Sequence, residues 1–213
     1  LLFELIIIIL GISISYGLNE WRIYANDRAE ELNILKELKQ NLVDDTTLIR
    51  DELNSVENII KQCRRLTAIK QVPIPDDSLG IYFGAIMSYS TISYNDLVYR
   101  LLKETGESKL ITNRELLKDI ISLYDKHYWL IKENNQIDAK VVLEQMVPFV
   151  VESGIDFVSV ESVKKAVAKD TKLNNYINLN ASLKGNQQRL YTEQLVRIQD
   201  LIKKVDAEIK RLE

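Results

Sequence analysis

An all-α fold is predicted: an N-terminal transmembrane helix continuing into a long stalk helix, an antiparallel C-terminal helix and a helical head, together an extended helical bundle. Three observations carry the prediction. Only 7 Gly and 3 Pro occur in 213 residues and β-branched alternation is scarce, so helix breakers and strand periodicity are both rare. Two long stretches place apolar residues on alternating steps of three and four. The opening residues LLFELIIIILGISISYGL pass without a loop signal into the charged, helix-patterned NEWRIYANDRAEELNILKELKQNL.

Residues 1–18 form the anchor. At about 1.5 Å per helical residue they span roughly 27 Å, just short of the hydrocarbon core of a bilayer. No Met opens the sequence, so upstream residues are expected to complete the crossing. A cleaved signal peptide is the rival reading, since the run from Leu5 to Ile12 is short and Ser15 and Gly17 resemble cleavage-site residues; the length rule favours a retained anchor. Gly11 with Ser15, and Ser13 with Gly17, stand four apart and let another helix approach closely, although Gly is also ordinary in such spans. Glu4 is the one ionisable group of the anchor. At the interface it is unremarkable; deeper, it costs on the order of 2.5–3.5 kcal/mol and needs a partner, a proton or a water-filled cavity. Trp21, with Tyr16 and Tyr24, reads as an aromatic belt at the membrane interface.

The stalk helix is placed at 19–72. Its seam runs through Leu35, Leu42, Ile49, Leu53, Val56, Ile60 and Cys63, interrupted by Lys39 and Thr46. Ile34, Leu38, Val43, Leu48 and Ile59 widen it to the stripe of a bundle helix. The helix is expected to stop near Lys70, ahead of Pro73 and Pro75. The C-terminal stalk helix, 171–213, carries Leu173, Ile177, Leu190, Leu195, Ile198, Leu201, Ile202, Val205, Ile209 and Leu212, with Gly185 as its single breaker. An interior Gly costs about 1 kcal/mol against Ala, which kinks a helix without ending it. Packed antiparallel to the first helix, it returns the C-terminus to the membrane surface.

Between the long helices, 73–170 is expected to form a membrane-distal head. Asp77 or Ser78 caps a helix to about Ser90, Ser93 caps a second through Lys103, and Gly106 separates it from the next. Thr112 and Glu115 have the spacing of a capping box for a helix to about Asn134. A further helix runs from Ile137 to about Val147, interrupted by Pro148, and Ser159 or Ser162 opens another. The segment PFVVESGIDFVSV around Gly154 is the least helical and is expected to be a short hairpin or an extended loop.

Chemistry is sparse. With 28 basic and 31 acidic residues, net −3, no broad field recruits nucleic acid. The single Cys63 excludes an intramolecular disulfide and a multi-cysteine metal site. Among Ile59, Ile60 and Leu66 it reads as a small buried hydrophobe, with a bridge to a second copy as the alternative. His127, alone in YDKHYW, reads as a half-buried structural histidine, because a catalytic or ligating one needs partners. Asp44–Asp45 reads as a solvated face and Asp76–Asp77 as a helix cap. No Gly-rich phosphate loop or zinc signature is present. No catalytic residue, no cofactor site and no metal ligand is therefore expected. Tyr82, Phe83, Tyr89, Tyr94, Tyr99, Tyr124, Tyr128 and Trp129 concentrate aromatic area in the head. Most should pack its core, and Tyr82, Tyr89, Tyr94, Tyr99, Tyr124, Tyr128 and Trp129 are the candidates for a recognition surface.

The pattern of Glu4, the aliphatic run Leu5 to Leu10, Gly11 and the exit Asn19-Glu20-Trp21-Arg22, followed by Thr91, Tyr94, Leu97, Gly106, Leu110, Ile111, Asn113, Leu116 and Tyr124, resembles a family of single-span membrane proteins common in Bacteroidota and grouped as a domain of unknown function. The resemblance covers roughly residues 1–130. It implies a basic cytoplasmic N-terminus ahead of Leu1 and a periplasmic helical domain in the bacterial inner membrane, and it brings no activity. Arg22, Arg28, Lys36 and Lys39 argue the opposite orientation under the positive-inside rule, but long domains translocate largely regardless of charge. The expectation is a non-enzymatic scaffold or accessory subunit, in contact with membrane lipid, that assembles with copies of itself or with a larger membrane complex. An envelope sensor with an aromatic head, and an ion-conducting or stator-like subunit using Glu4, are the alternatives.

Overall fold

A computed structural model of the chain describes residues 2–71 and 74–213. Leu1, Val72 and Pro73 lie outside the described residues, and with them the expected stop at Pro73; so do the side chains of Leu2, Leu5 and Asp76 and the capping role of Asp76. The first helix, α1, runs from Leu2 to Thr67. With no internal Pro, every turn after the first keeps its backbone donors paired. The α-helix ends at Thr67, and residues 68–71 continue as turns closed by Ile69 N–H to Leu66 and Gln71 N–H to Ala68. Then follow α2 (Leu79–Ile86), α3 (Leu97–Glu104), α4 (Arg114–Ser122), α5 (Trp129–Val141), α6 (Val147–Glu152), α7 (Val160–Lys169) and α8 (Thr171–Leu212). Among the described residues there is no strand.

Several local expectations are corrected. The helix predicted from Asp77–Ser78 stops at Ile86, and the one predicted from Ser93 starts at Leu97 after an irregular stretch. Thr112 does not cap α4. Asn113 does, its Oδ1 accepting from Leu116 N–H at 3.1 Å, because the Thr112 hydroxyl and N–H are taken by Glu31. No break falls near Asn134 either: α4, α5 and α6 join through π-helical turns at Leu123–Tyr128 and Val142–Met146. The second of these explains why Pro148 does not interrupt the helix. A wide turn removes the demand for a Pro N–H and the clash of its ring with the carbonyl four residues back. The stretch PFVVE is helical, and the expected hairpin or loop shrinks to residues 153–159, where Gly154 has φ of +65°. Ser159 opens α7, accepting from Ser162 N–H at 3.3 Å, and α8 passes through Gly185 without ending.

The chain divides into two compact units. The first comprises Leu1–Val43, Asn95–Ile121 and Asp200–Glu213. Its core is Leu35, Leu38 and Leu42 of α1, Leu102, Ile111 and Ile120, and Leu201, Val205 and Ile209 of α8, all buried. Here α8 runs antiparallel to α1, with Lys39 paired to Asp206 at 2.6 Å and Arg28 donating to the carbonyls of Leu212 at 2.6 Å and Arg211 at 3.1 Å. Residues 95–121, expected in a membrane-distal head, belong to this unit, where Thr112 N–H reaches Glu31 at 2.6 Å and Asn113 reaches Glu208 at 2.8 Å.

The second unit comprises Asp44–Tyr94 and Ser122–Gln199. Its largest apolar cluster joins Cys63, Leu66 and Ile69 to Leu79, Phe83 and Ile86, Val142 and Met146, Val163, and Leu173 and Ile177. Its long helices are antiparallel as well, with Gln188 donating to Glu57 at 3.1 Å and the Cys63 thiol to Asn180 at 3.6 Å. Of the widening residues on α1, Ile34, Leu38 and Ile59 are buried, whereas Val43 and Leu48 face solvent.

Candidate functional site

The π turn at Leu123–Tyr128 inserts an extra residue per turn, which brings Leu123, Tyr124 and Tyr128 all to the inner side. Tyr128 stacks on Tyr94 with centroids 3.9 Å apart and planes at 8°, and Tyr124 meets it edge-on at 5.0 Å. The Tyr128 hydroxyl donates to Asp45 Oδ2 at 2.5 Å. Asp45 is therefore a buried acceptor at 2% exposure, not part of a solvated face; Asp44 keeps the exposed position. Burial pushes the Tyr128 phenol well above its ordinary range, and the neighbouring Asp45 charge adds to the shift. Tyr94 moves the same way for want of solvent.

The seven recognition candidates do not form one patch. Tyr82, Tyr124 and Tyr128 are buried in the second unit and Tyr99 in the first. Tyr82 accepts from Arg65 at 2.8 Å, and Tyr94 is half-buried. Only Tyr89 and Trp129 are exposed. His127 is half-buried, and its partial burial, with Arg197 and Lys126 nearby, lowers its pKa.

A second constellation escaped the sequence reading. In the second unit α8 presents Asn180, Lys184, Gln187 and Tyr191 inward, all essentially without solvent contact. The Lys184 ammonium is bonded to Asp138 Oδ2 of α5. Gln187 Nε2 donates to that same oxygen at 3.2 Å and to Asn135 Oδ1 at 3.1 Å. The Tyr191 hydroxyl lies 3.0 Å from both Asn135 Oδ1 and Ser90 Oγ, while Asn180 Nδ2 holds the last carbonyl of α2, Ile86, at 2.9 Å. Burial pushes the Tyr191 phenol up to about 12 and the Cys63 thiol up to about 11, the latter against the opposing charge of Lys184. Lys184 is only 1% exposed, so its amine is shielded from solvent. What the array does is fix the rotation of α8 against α5 and α2, since one displaced partner strands a buried charge. Cys63, also 1% exposed, is the buried hydrophobe expected and is not presented for a bridge to a second copy.

Along the apolar start of α1, Glu4, Ser13, Ser15 and Trp21 are exposed, and a Cβ built on Gly11 or Gly17 meets nothing within 4 Å. The apolar window of this helix is 0% buried and long enough to cross a membrane. Among the described residues, no group of three or more His, Cys, Asp or Glu could hold a metal ion. The fold and these sites define an all-α protein with closed cores and a span-length apolar helix. Comparison with protein-family models, with curated proteins and with solved structures found no match.

Proposed function

We propose that the chain is a membrane-anchored, non-enzymatic scaffold or accessory subunit that assembles through its span and helical stalk. One observation carries this reading: α1 is a single 66-residue helix whose apolar start is 0% buried among the described residues, while its later turns supply core to both units. Apolar surface of that length finds cover only in lipid or in other helices. The small-residue positions Gly11, Ser13, Ser15 and Gly17 lie open on it and suit close approach of a second span. In the second unit Trp129, Leu130, Ile137 and Leu143 are each at least 43% exposed on one helical run, which supports protein contact there as well. The aromatic-sensor reading has less support, because four of its seven candidate residues fill cores. The family resemblance supports a location in the bacterial inner membrane as a single-pass chain with a periplasmic domain, and this location is part of the proposal.

The test is the mass of the particle extracted in mild detergent, with identification of every chain that travels with it. A homo-oligomer or a reproducible set of foreign subunits is expected. A lone monomer at native expression level overturns the assembly reading.

A further inference from the structure

We infer that the first unit holds a membrane phospholipid by its phosphodiester headgroup, in a cleft beside the exit of the anchor. This rests on the membrane-anchored reading of α1. The cleft has a volume of about 490 Å³ and lies between α1, the turn before α4, and the end of α8, with Tyr24, Asp27, Arg28, Lys109 and Arg211 on its walls. Two features select the ligand.

The first is unspent charge. The carboxylate of Glu31, on the cleft floor, is occupied by Thr112 N–H at 2.6 Å and the Thr112 hydroxyl at 3.0 Å. Arg211 is matched to Glu208 at 2.5 Å. Among the described residues Arg28 meets only backbone carbonyls, through Nε and Nη2, leaving Nη1 unengaged. Neither the exposed Lys109 ammonium nor the Asp27 carboxylate has an ion-pair partner among the described residues. Two cations remain to hold a phosphodiester, and one carboxylate remains to meet an amine of the same headgroup.

The second is height. Tyr24 follows Trp21 by three residues, about 4.5 Å along the helix, and both rings are more than 60% exposed. With the aromatic pair at the interface, the cleft mouth opens at the level of the polar headgroup zone, where phosphodiesters are concentrated. A soluble phosphate lacks that local concentration.

The experiment uses the full chain in maltoside micelles, titrated with dihexanoyl phosphatidylethanolamine, with bound lipid counted by native mass spectrometry. One lipid per chain is expected. Lys109→Ala should weaken it by up to about fivefold, the upper value of one exposed ion pair with the phosphate, and Lys109→Glu by more than that. Lys126→Ala, an exposed lysine of the other unit, should leave it unchanged, and circular dichroism of each variant reports that the fold is intact. Equal lipid binding by Lys109→Glu overturns the inference. Displacement of the lipid by inorganic phosphate at equal concentration overturns its membrane source and identifies a site for soluble phosphate esters. A chain released from membranes by carbonate washing refutes the anchor itself, a separate readout from the lipid count.

Discussion

Removing one member of the buried Lys184–Asp138 pair should be among the most damaging single changes available in the second unit. Both groups are essentially out of solvent, at 1% and 0% side-chain exposure, and they meet in direct contact. At an effective dielectric of 20 two unit charges 4 Å apart attract by about 4 kcal/mol, while each has forfeited several kcal/mol of hydration. Asp138 Oδ1 and Gln187 Oε1 find no partner among the described residues, so hydrogen bonding does not fully repay that cost. Asp138→Asn or Lys184→Met alone leaves the other charge buried and uncompensated, at about 3–5 kcal/mol. The double variant Asp138→Asn/Lys184→Met removes both charges, and Gln187 keeps its bond to Asn135; its stability should fall within about 1–2 kcal/mol of the parent, on either side. The pair would then show a coupling of several kcal/mol in a double-mutant cycle. Urea unfolding of the detergent-solubilised chain, followed by far-ultraviolet circular dichroism, reads all four stabilities. A loss below about 1 kcal/mol for Asp138→Asn would mean that water reaches the site, and the closed-network description would fail.

Other outcomes can be checked more simply. Cys63, with its thiol pushed up to about 11, should react with a disulfide reagent at pH 8 far more slowly than free cysteine, by about 100-fold from thiolate fraction alone, and labelling should become fast only in denaturant. Glu208 is held below its ordinary pKa chiefly by the Arg211 hydrogen bond, with Asn113 assisting against burial. Its unfolded form binds protons more readily, so its contribution is present above about pH 4.5 and lost as pH falls through the lower folded value; Glu208→Gln should flatten the acid side of a urea-midpoint profile. Gly106 has φ of +75°, and Gly106→Ala should destabilise by about 1–2 kcal/mol in the same assay. Trp129→Ser with Ile137→Ser, at positions 56% and 54% exposed, should change unfolding by less than about 1 kcal/mol while lowering the mass of the native particle; an unchanged particle removes that face from assembly.

The long elements were legible because their apolar spacing persists over many turns and no proline intervenes. Leu35, Leu42, Ile49, Val56 and Cys63 on α1, and Ile198, Leu201 and Val205 on α8, are buried as their spacing predicts. Caps were less legible. Thr112 and Asn113 are both competent capping residues one position apart, and only the buried carboxylate of Glu31, distant in sequence, decides between them. The π turns left no composition signature, so the continuous run through α4, α5 and α6 read as one helix to about Asn134 and a second from Ile137 interrupted at Pro148. The polar network did have a signal that was passed over. Leu173, Ile177, Asn180, Lys184, Gln187, Tyr191, Gln194, Ile198, Leu201 and Val205 keep the alternating three and four residue step without a gap. A seam traced through apolar residues alone skips its middle, where charge and amide groups hold core positions. The same bias placed Asp45 on a solvated face. Pairing partners on other helices make such burial possible, and one-dimensional patterning does not contain them.

The grip of Arg28 on the carbonyls of Arg211 and Leu212 also has a use in the laboratory. It pins the last turn of α8 beside the turn of α1 only ten residues past Leu18, so anything appended after Glu213 emerges at the base of the first unit, next to the apolar start of α1. Under the membrane-anchored proposal, a pH-sensitive fluorophore fused there would report the medium on the domain's own side of the bilayer, and a split reporter divided between two copies would light only when their bases lie side by side.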